Sequence, residues 1–336
     1  MERPEGQELG TAPLTLALAG DTMLGRNVAE RLLASPRLET IFSDEVRLVL
    51  ADADLVVLNL ECCISQRGER RPDRGKPYFF RAPPVAAELL ADLGVDCVNL
   101  ANNHALDYGF DALGDTRALL GRTGVRAVGA GSEMGQARQF AVLEARGFRL
   151  AVIGVTDHPE DWAAGVDRPG IAWADLGSGV PDWLSSLVAR AAAEADAVLV
   201  TPHWGPNLTT RPPDYVRVAA QQLLDAGATL VAGHSAHVFH GVAERIIFDM
   251  GDFVDDYAVY RYLRNDLGLL FLVALDGPTP LVPVRLEAVP LAIDHCRARL
   301  ADDVEWAWIR DRFVDACAEL GTDVQTRGKR LVVDWH

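Results

Sequence analysis

Runs of 18 or more apolar residues are absent from the 336-residue chain, so no segment reads as a membrane span. Positive charge is in short supply. The 32 Lys and Arg face 48 Asp and Glu, giving a formal charge of −16, which repels a phosphate backbone and argues against nucleic acid as a partner. Cysteine is scarce too. Cys62, Cys63, Cys97, Cys296 and Cys317 are odd in number and contain no CxxC spacing, which argues against both a disulfide framework and a thiolate zinc knot. The start of the chain lacks a basic segment followed by an apolar core, since Glu2, Glu5 and Glu8 precede any apolar stretch. Internal repeats and low-complexity tracts are missing, apart from the Arg-rich stretch Arg67–Lys76. These absences together point to a reduced, cytoplasmic protein with no membrane span; they leave the oligomeric state open.

The apolar fraction of 49% is that of a chain able to bury a core. Short apolar runs (Leu14–Ala19, Leu55–Leu60, Val95–Leu100, Leu150–Val155, Ala197–Thr201, Thr229–Ala232, Arg245–Phe248 and Leu269–Ala274) read as strands. Helical patterns at Val85–Leu93, Asp111–Thr123, Trp183–Ala195 and Pro213–Ala226 lie between several of them. The alternation predicts an α/β layered domain around a buried sheet. Beyond Pro280 the pattern is strand (Leu281–Val289), helix (Ala301–Leu320) and strand (Arg330–Asp334), with no spacer before it. The expected organisation is a flexible tail over 1–12 and a single domain over 13–336, with 277–336 packed on as a C-terminal extension.

Ligands of open α/β sheets collect beyond the carboxyl ends of strands. Five strand ends here deliver carboxylates, amides or imidazoles: Asp21; Glu61; Asn102, Asn103, His104 and Asp107; His203; and His234 with His237. Taken singly, each has an ordinary explanation. Asp21 suits a helix cap, Asn102 and Asn103 suit a turn, and His203 suits packing against Trp204. Convergence requires the strands to lie side by side. Mixed nitrogen and oxygen donors then suit Mn, Fe or Zn, and one shared carboxylate suits a two-ion hydrolytic centre.

The blocks Gly20-Asp-Thr-Met-Leu-Gly-Arg26, Asn59-Leu-Glu61, Ala101-Asn-Asn-His-Ala-Leu-Asp-Tyr-Gly109, His203-Trp-Gly205 and Gly233-His-Ser-Ala-His237 resemble the CapA family of capsule synthesis. Phe248-Asp-Met-Gly-Asp-Phe-Val254 looks like a further family element. That family is linked to poly-γ-glutamate production and is similar to the calcineurin-like metallophosphatases. The resemblance implies a four-layer α/β/β/α sandwich and a centre of two divalent ions. It assigns Asp21 to the first ion, Glu61 as the bridge, Asn103 and His203 to the second ion, and one of His234 and His237 to each. It makes His104 the general acid or transition-state donor, with Asp107 orienting it. Where the metallophosphatases carry a His ligand two residues after their first Asp, this chain has Met23.

The chemistry expected is hydrolysis by metal-activated water of a phosphoester or a γ-glutamyl-type amide. The alternative is a non-catalytic accessory protein of poly-γ-glutamate or capsule assembly that keeps the metal-binding shell. Either substrate is small and anionic or γ-glutamyl-containing, and Arg26, Arg81, Asn102 and Asp252 are the expected contacts to it. Arg suits a bidentate carboxylate clamp better than Lys does.

Overall fold

Among the described residues sixteen strands build two sheets whose inner faces meet. In chain order they are β1 (Leu14–Thr22), β2 (Leu55–Leu60), β3 (Cys97–Asn99), β4 (Arg126–Val128), β5 (Ala141–Ala145), β6 (Phe148–Thr156), β7 (Ala197–His203) and β8 (Leu230–Ala232). They continue as β9 (Val242–Ala243), β10 (Ile246–Ile247), β11 (Asp252–Val254), β12 (Leu267–Asp276), β13 (Val282–Ile293), β14 (Ala298–Leu300), β15 (Gln325–Arg327) and β16 (Arg330–Asp334). The computed structural model describes residues 12–71 and 76–335. The tail expected over 1–12, apart from its last residue, therefore lies outside the described residues, as do Pro72–Gly75 of the Arg-rich stretch and His336.

The larger sheet runs β15-β16-β13-β12-β1-β2-β3-β4, with β11 added beside β1 and β14 beside β13. The smaller runs β9-β10-β8-β7-β6-β5. Neighbours β1-β2-β3-β4 are parallel, as are β6-β7-β8-β10, so both sheets point a set of carboxyl ends in one direction. Alternate side chains sort the core into layers. Leu14, Leu16, Leu18, Val57, Leu150, Val152 and Leu199 fill the space between the sheets. The opposite faces, through Ala17, Val56 and Val98 on one sheet and Ile153, Val198 and Val200 on the other, pack against helices. The helices Arg26–Ala34, Asp44–Ala51, Val85–Asp92 and Gly109–Thr123 cover the larger sheet, and Asp182–Glu194 and Asp214–Asp225 the smaller. The expected α/β/β/α sandwich is the architecture observed.

The segment after residue 276 extends the larger sheet edge through β13 and β16, and the helix Asp303–Ala318 closes the end of the inter-sheet core with Ile309 and Phe313. Among the described residues no helix is long and apolar enough to cross a membrane. All five cysteines are free and buried. The first strand does not stop at Gly20 as its apolar run suggests. It continues to Thr22 because two strands pair with it there in parallel, β2 with Asn59 and Leu60 and β11 with Asp252 and Val254 opposite Asp21 and Thr22.

Candidate metal centre

A bulge puts the first carboxylate in place. The β1–β2 register shifts between Ala19 and Asp21, and Asp21 N–H donates to Gly251 O at 2.9 Å. Gly20 is required there, since a Cβ would sit 1.9 Å from the Gly251 carbonyl oxygen. Asp21 Oδ1 lies 3.7 Å from His234 Nδ1 and 3.9 Å from His203 Nδ1, and Oδ2 lies 3.2 Å from His237 Nδ1. His237 itself sits at φ +59°, a left-handed conformation that a non-glycine residue rarely adopts outside tightly constrained sites. Behind Asp21, Asn59 Nδ2 donates to its Oδ1 at 2.7 Å, and Asn99 Nδ2 donates to Asn59 Oδ1 at 3.0 Å.

The donors form two groups that share one member. Asp21, His203 and His234 make the first, and Asp21, Glu61, His237 and Asp252 the second, each with its donor atoms within 4.8 Å of one another. Asn103 flanks the first group, its Oδ1 3.2 Å from His203 Nε2. All six residues expected as ligands therefore come together from both sheets. The shared carboxylate is Asp21; Glu61, the expected bridge, belongs only to the second group.

These residues suit a divalent cation. Glu61 Oε1 and Asp252 Oδ2 are buried without a hydrogen-bond partner, which an isolated protein interior does not tolerate cheaply. The electrostatics carry the same imprint. Burial and the Asp21 charge push Glu61 well above the usual carboxylate range, and burial raises Asp252 against the pull of His237. Burial and Asp21 likewise push Asp249 up to about 8. Burial works to raise Asp21 as well, but the hydrogen bond and charge of His237, with help from His234 and Asn59, hold it low. For His237 burial opposes the charged form, yet Asp252, Glu61 and the hydrogen bonds to Asp21 and Asp252 raise it well above the ordinary imidazole value. His203 is driven well down and His234 down to about 4, both by burial first, leaving two neutral imidazoles with lone pairs to give.

Beside these groups His104 Nδ1 lies 2.6 Å from Asp107 Oδ2, and its Nε2 faces Glu61 Oε1 at 3.8 Å. Its ring stacks on Phe80 with centroids 3.9 Å apart. Burial holds the imidazole down at about 4 despite the Asp107 charge. His104, His237, Tyr257, Phe80, Tyr78 and Arg26 line a cavity of about 180 Å³. A larger cavity of about 620 Å³, by Leu38, Arg47 and Asp92, contains none of the donors. Arg26, at φ +51°, lies with its guanidinium 5.4 Å from the Tyr78 ring centre and Nε 3.3 Å from Asp256 Oδ1.

Three of the four expected substrate contacts fall elsewhere. Arg81 does not line this cavity: its guanidinium sits 4.1 Å over the Tyr108 ring and donates to the Arg67 and Gly68 carbonyls, because the strand pair Cys63–Ile64 with Arg81–Ala82 turns it toward the loop. Asn102 is fully buried and holds the backbone, donating to Asn59 Oδ1 and Leu60 O and accepting from His104 N–H. Asp252 faces His237 at 2.9 Å inside the second donor group. Met23 is fully buried, and its Sδ accepts from Gly25 N–H at 3.0 Å. Sequence reading missed Tyr257, whose hydroxyl donates to Glu61 Oε2 at 3.2 Å, and Asp249, which accepts from Ala236 and Gly251 N–H. Asp249 stands inside the quoted block 248–254, so the block was the available signal; nothing in the local pattern marks Tyr257.

The chain is similar to known proteins over most of its length. The family described as bacterial capsule synthesis protein PGA_cap matches residues 15–257. A probable polyglutamine synthesis accessory protein of Mycobacterium tuberculosis is 33% identical over 298 residues, covering 83% of this chain and 76% of that protein. The PGA biosynthesis protein CapA of Bacillus subtilis is 29% identical, covering 76% and 67%. The capsule biosynthesis protein CapA of Bacillus anthracis is also 29% identical, covering 84% and 68%.

Proposed function

The chain belongs to the PGA_cap family of bacterial capsule synthesis proteins, and from that premise we propose that it is a metal-dependent hydrolase acting on a phosphoester or a γ-glutamyl-type amide. The observation that carries this reading is the placement of His104. Its ring is buttressed by Asp107 and opens on the cavity, within 3.8 Å of a carboxylate that belongs to a four-donor group.

In this reading Asp21, Glu61, Asp252, His203, His234 and His237 hold divalent ions, Mn, Fe or Zn, with Asn103 on the flank. Asp252 gives the second group a fourth donor, although Met23 offers none. Bound ions supply Lewis acidity, acidifying water and neutralising charge that develops on the reacting oxygens. Asp107 keeps the proton of His104 on Nδ1, which leaves Nε2 a lone pair. Nε2 takes up a proton from the attacking water and passes it to the departing oxygen or nitrogen, a role worth about 10²–10⁴-fold. Arg26 binds the anionic group of the substrate from the cavity wall. Tyr257 holds Glu61 through Oε2. Phe80 and Tyr257 exclude water around the ring of His104. The free, buried cysteines suit a cytoplasmic setting.

Met23, packed in the core where a ligand is expected, favours a second reading: a non-catalytic accessory role in poly-γ-glutamate or capsule assembly. Metal analysis of protein purified without chelator, with hydrolysis of bis(p-nitrophenyl) phosphate and γ-glutamyl p-nitroanilide, separates the two. We expect about two ions per chain and turnover that falls by at least about 100-fold in His104→Ala. Bound metal without turnover of either probe transfers the case to the accessory reading. Protein that binds no divalent ion defeats both.

A further inference from the structure

The end of the Arg-rich stretch does not lie in solvent. Lys76 is 13% exposed in its side chain and points at the loop that carries the site. Its ammonium lies 2.6 Å from Asp107 Oδ1 and donates to the backbone carbonyl of Asn103. It also sits 4.5 Å from the ring centre of Trp162, a fully buried side chain, in cation–π geometry. Asp107 is fully buried and divided between its two oxygens. Oδ2 accepts from Phe80 N–H at 2.6 Å and meets His104 Nδ1 at 2.6 Å. Oδ1 has the Lys76 ammonium beside it.

We propose that Lys76 is a positioning residue for His104, acting through Asp107 and through the backbone of Asn103. It deepens the hydrolase reading and rests on His104 being the group that handles the proton. A carboxylate can hold an imidazole in one tautomer only while its own plane is fixed, and two anchors on one oxygen leave it free to turn about them. The ammonium on the other oxygen removes that freedom and supplies the countercharge that a buried carboxylate needs. Because Lys76 also grips the Asn103 carbonyl, it ties the turn between Asn103 and Asp107 at both ends. The same contact couples a metal-flanking amide to the proton-handling ring. Lys76 belongs neither to the cavity lining nor to either donor group, and its contacts to Asp107 and Asn103 are what tie it to the turn that carries His104.

The test reads the tautomer directly. Full-length protein labelled with ¹⁵N at histidine, as purified, gives long-range proton–nitrogen correlations for each ring, with His104→Gln assigning the signal. We expect wild type and Lys76→Arg to keep a slowly exchanging Nδ1–H on His104, and Lys76→Met to lose it to averaging between tautomers. With Mn²⁺ and bis(p-nitrophenyl) phosphate, kcat falls about 10–100-fold in Lys76→Met at unchanged KM, and Lys76→Arg restores most of it. Lys76→Gln carries the same measurements if Lys76→Met does not fold. A Lys76→Met or Lys76→Gln protein that retains the protected Nδ1–H overturns the inference. Wild type that shows the Nδ1–H but turns over neither probe sinks the hydrolase reading alone, because the ring signal does not depend on turnover.

Discussion

Asp21 Oδ2 lies 3.2 Å from His237 Nδ1, so the end of the first strand of one sheet touches the loop that follows β8 of the other. That contact makes Asp21 the member common to both donor groups. Asp21→Ala is therefore expected to weaken both ions, and Glu61→Ala mainly the one held with His237 and Asp252. Metal content by mass spectrometry after dialysis against metal-free buffer checks this. The opposite pattern, with Glu61→Ala emptying both positions and Asp21→Ala sparing one, would return the bridging role to Glu61.

Gly20 is the hinge of that arrangement. An added methyl meets the carbonyl oxygen of Gly251 at 1.9 Å, and a backbone atom tied into β11 has little room to move. Gly20→Ala is expected to destabilise the fold by about 1–3 kcal/mol or more. It should also displace Asp21 and lower metal occupancy. Denaturant unfolding followed beside metal content tests it; a stable protein with full occupancy contradicts the packing argument.

Arg26 contacts the cavity and no donor side chain. Arg26→Met is expected to raise KM for bis(p-nitrophenyl) phosphate about tenfold with kcat nearly unchanged, because the lost attraction serves ground state and transition state alike. Steady-state kinetics at fixed Mn²⁺ read the split. A fall in kcat alone would place Arg26 at the reacting atoms instead.

Much of this was legible in the sequence because the strands announce themselves. Leu55–Leu60 and Arg330–Asp334 are continuous apolar or alternating runs, and the structure gives them those same bounds. The polar residues after each run then mark where a ligand would sit, since parallel strands send their carboxyl ends to one rim. What stayed hidden depends on contacts distant in sequence. The extension of β1 to Thr22 comes from pairing with β2 on one side and β11 on the other, and β11 is only three residues long, too short to stand out as a run. Arg81 looked like a substrate clamp because charge and neighbourhood were visible, whereas the face of Tyr108 that captures it was not. Lys76 showed in the sequence only as the end of an Arg-rich stretch, because the fold alone carries Asp107 to it.

Away from the centre, His240 is almost wholly buried and offers a prediction about pH. Its Nε2–H donates to Thr209 O at 2.9 Å, while Nδ1 has no partner. Burial holds the imidazole down to about 4, against an ordinary value of 6.5. The folded state therefore prefers neutral His240, whereas the unfolded chain binds the proton more readily as acid is added. Its contribution is complete above about pH 6.5 and is lost as the pH falls toward 4, a change on the order of 3 kcal/mol. Chemical denaturation at pH 7.5 and pH 4.5 should show wild type losing more stability than His240→Gln, whose amide keeps a donor for Thr209 and carries no titrating group. Equal losses in the two proteins would mean that His240 takes its proton as easily folded as unfolded, and that other groups set the acid limit.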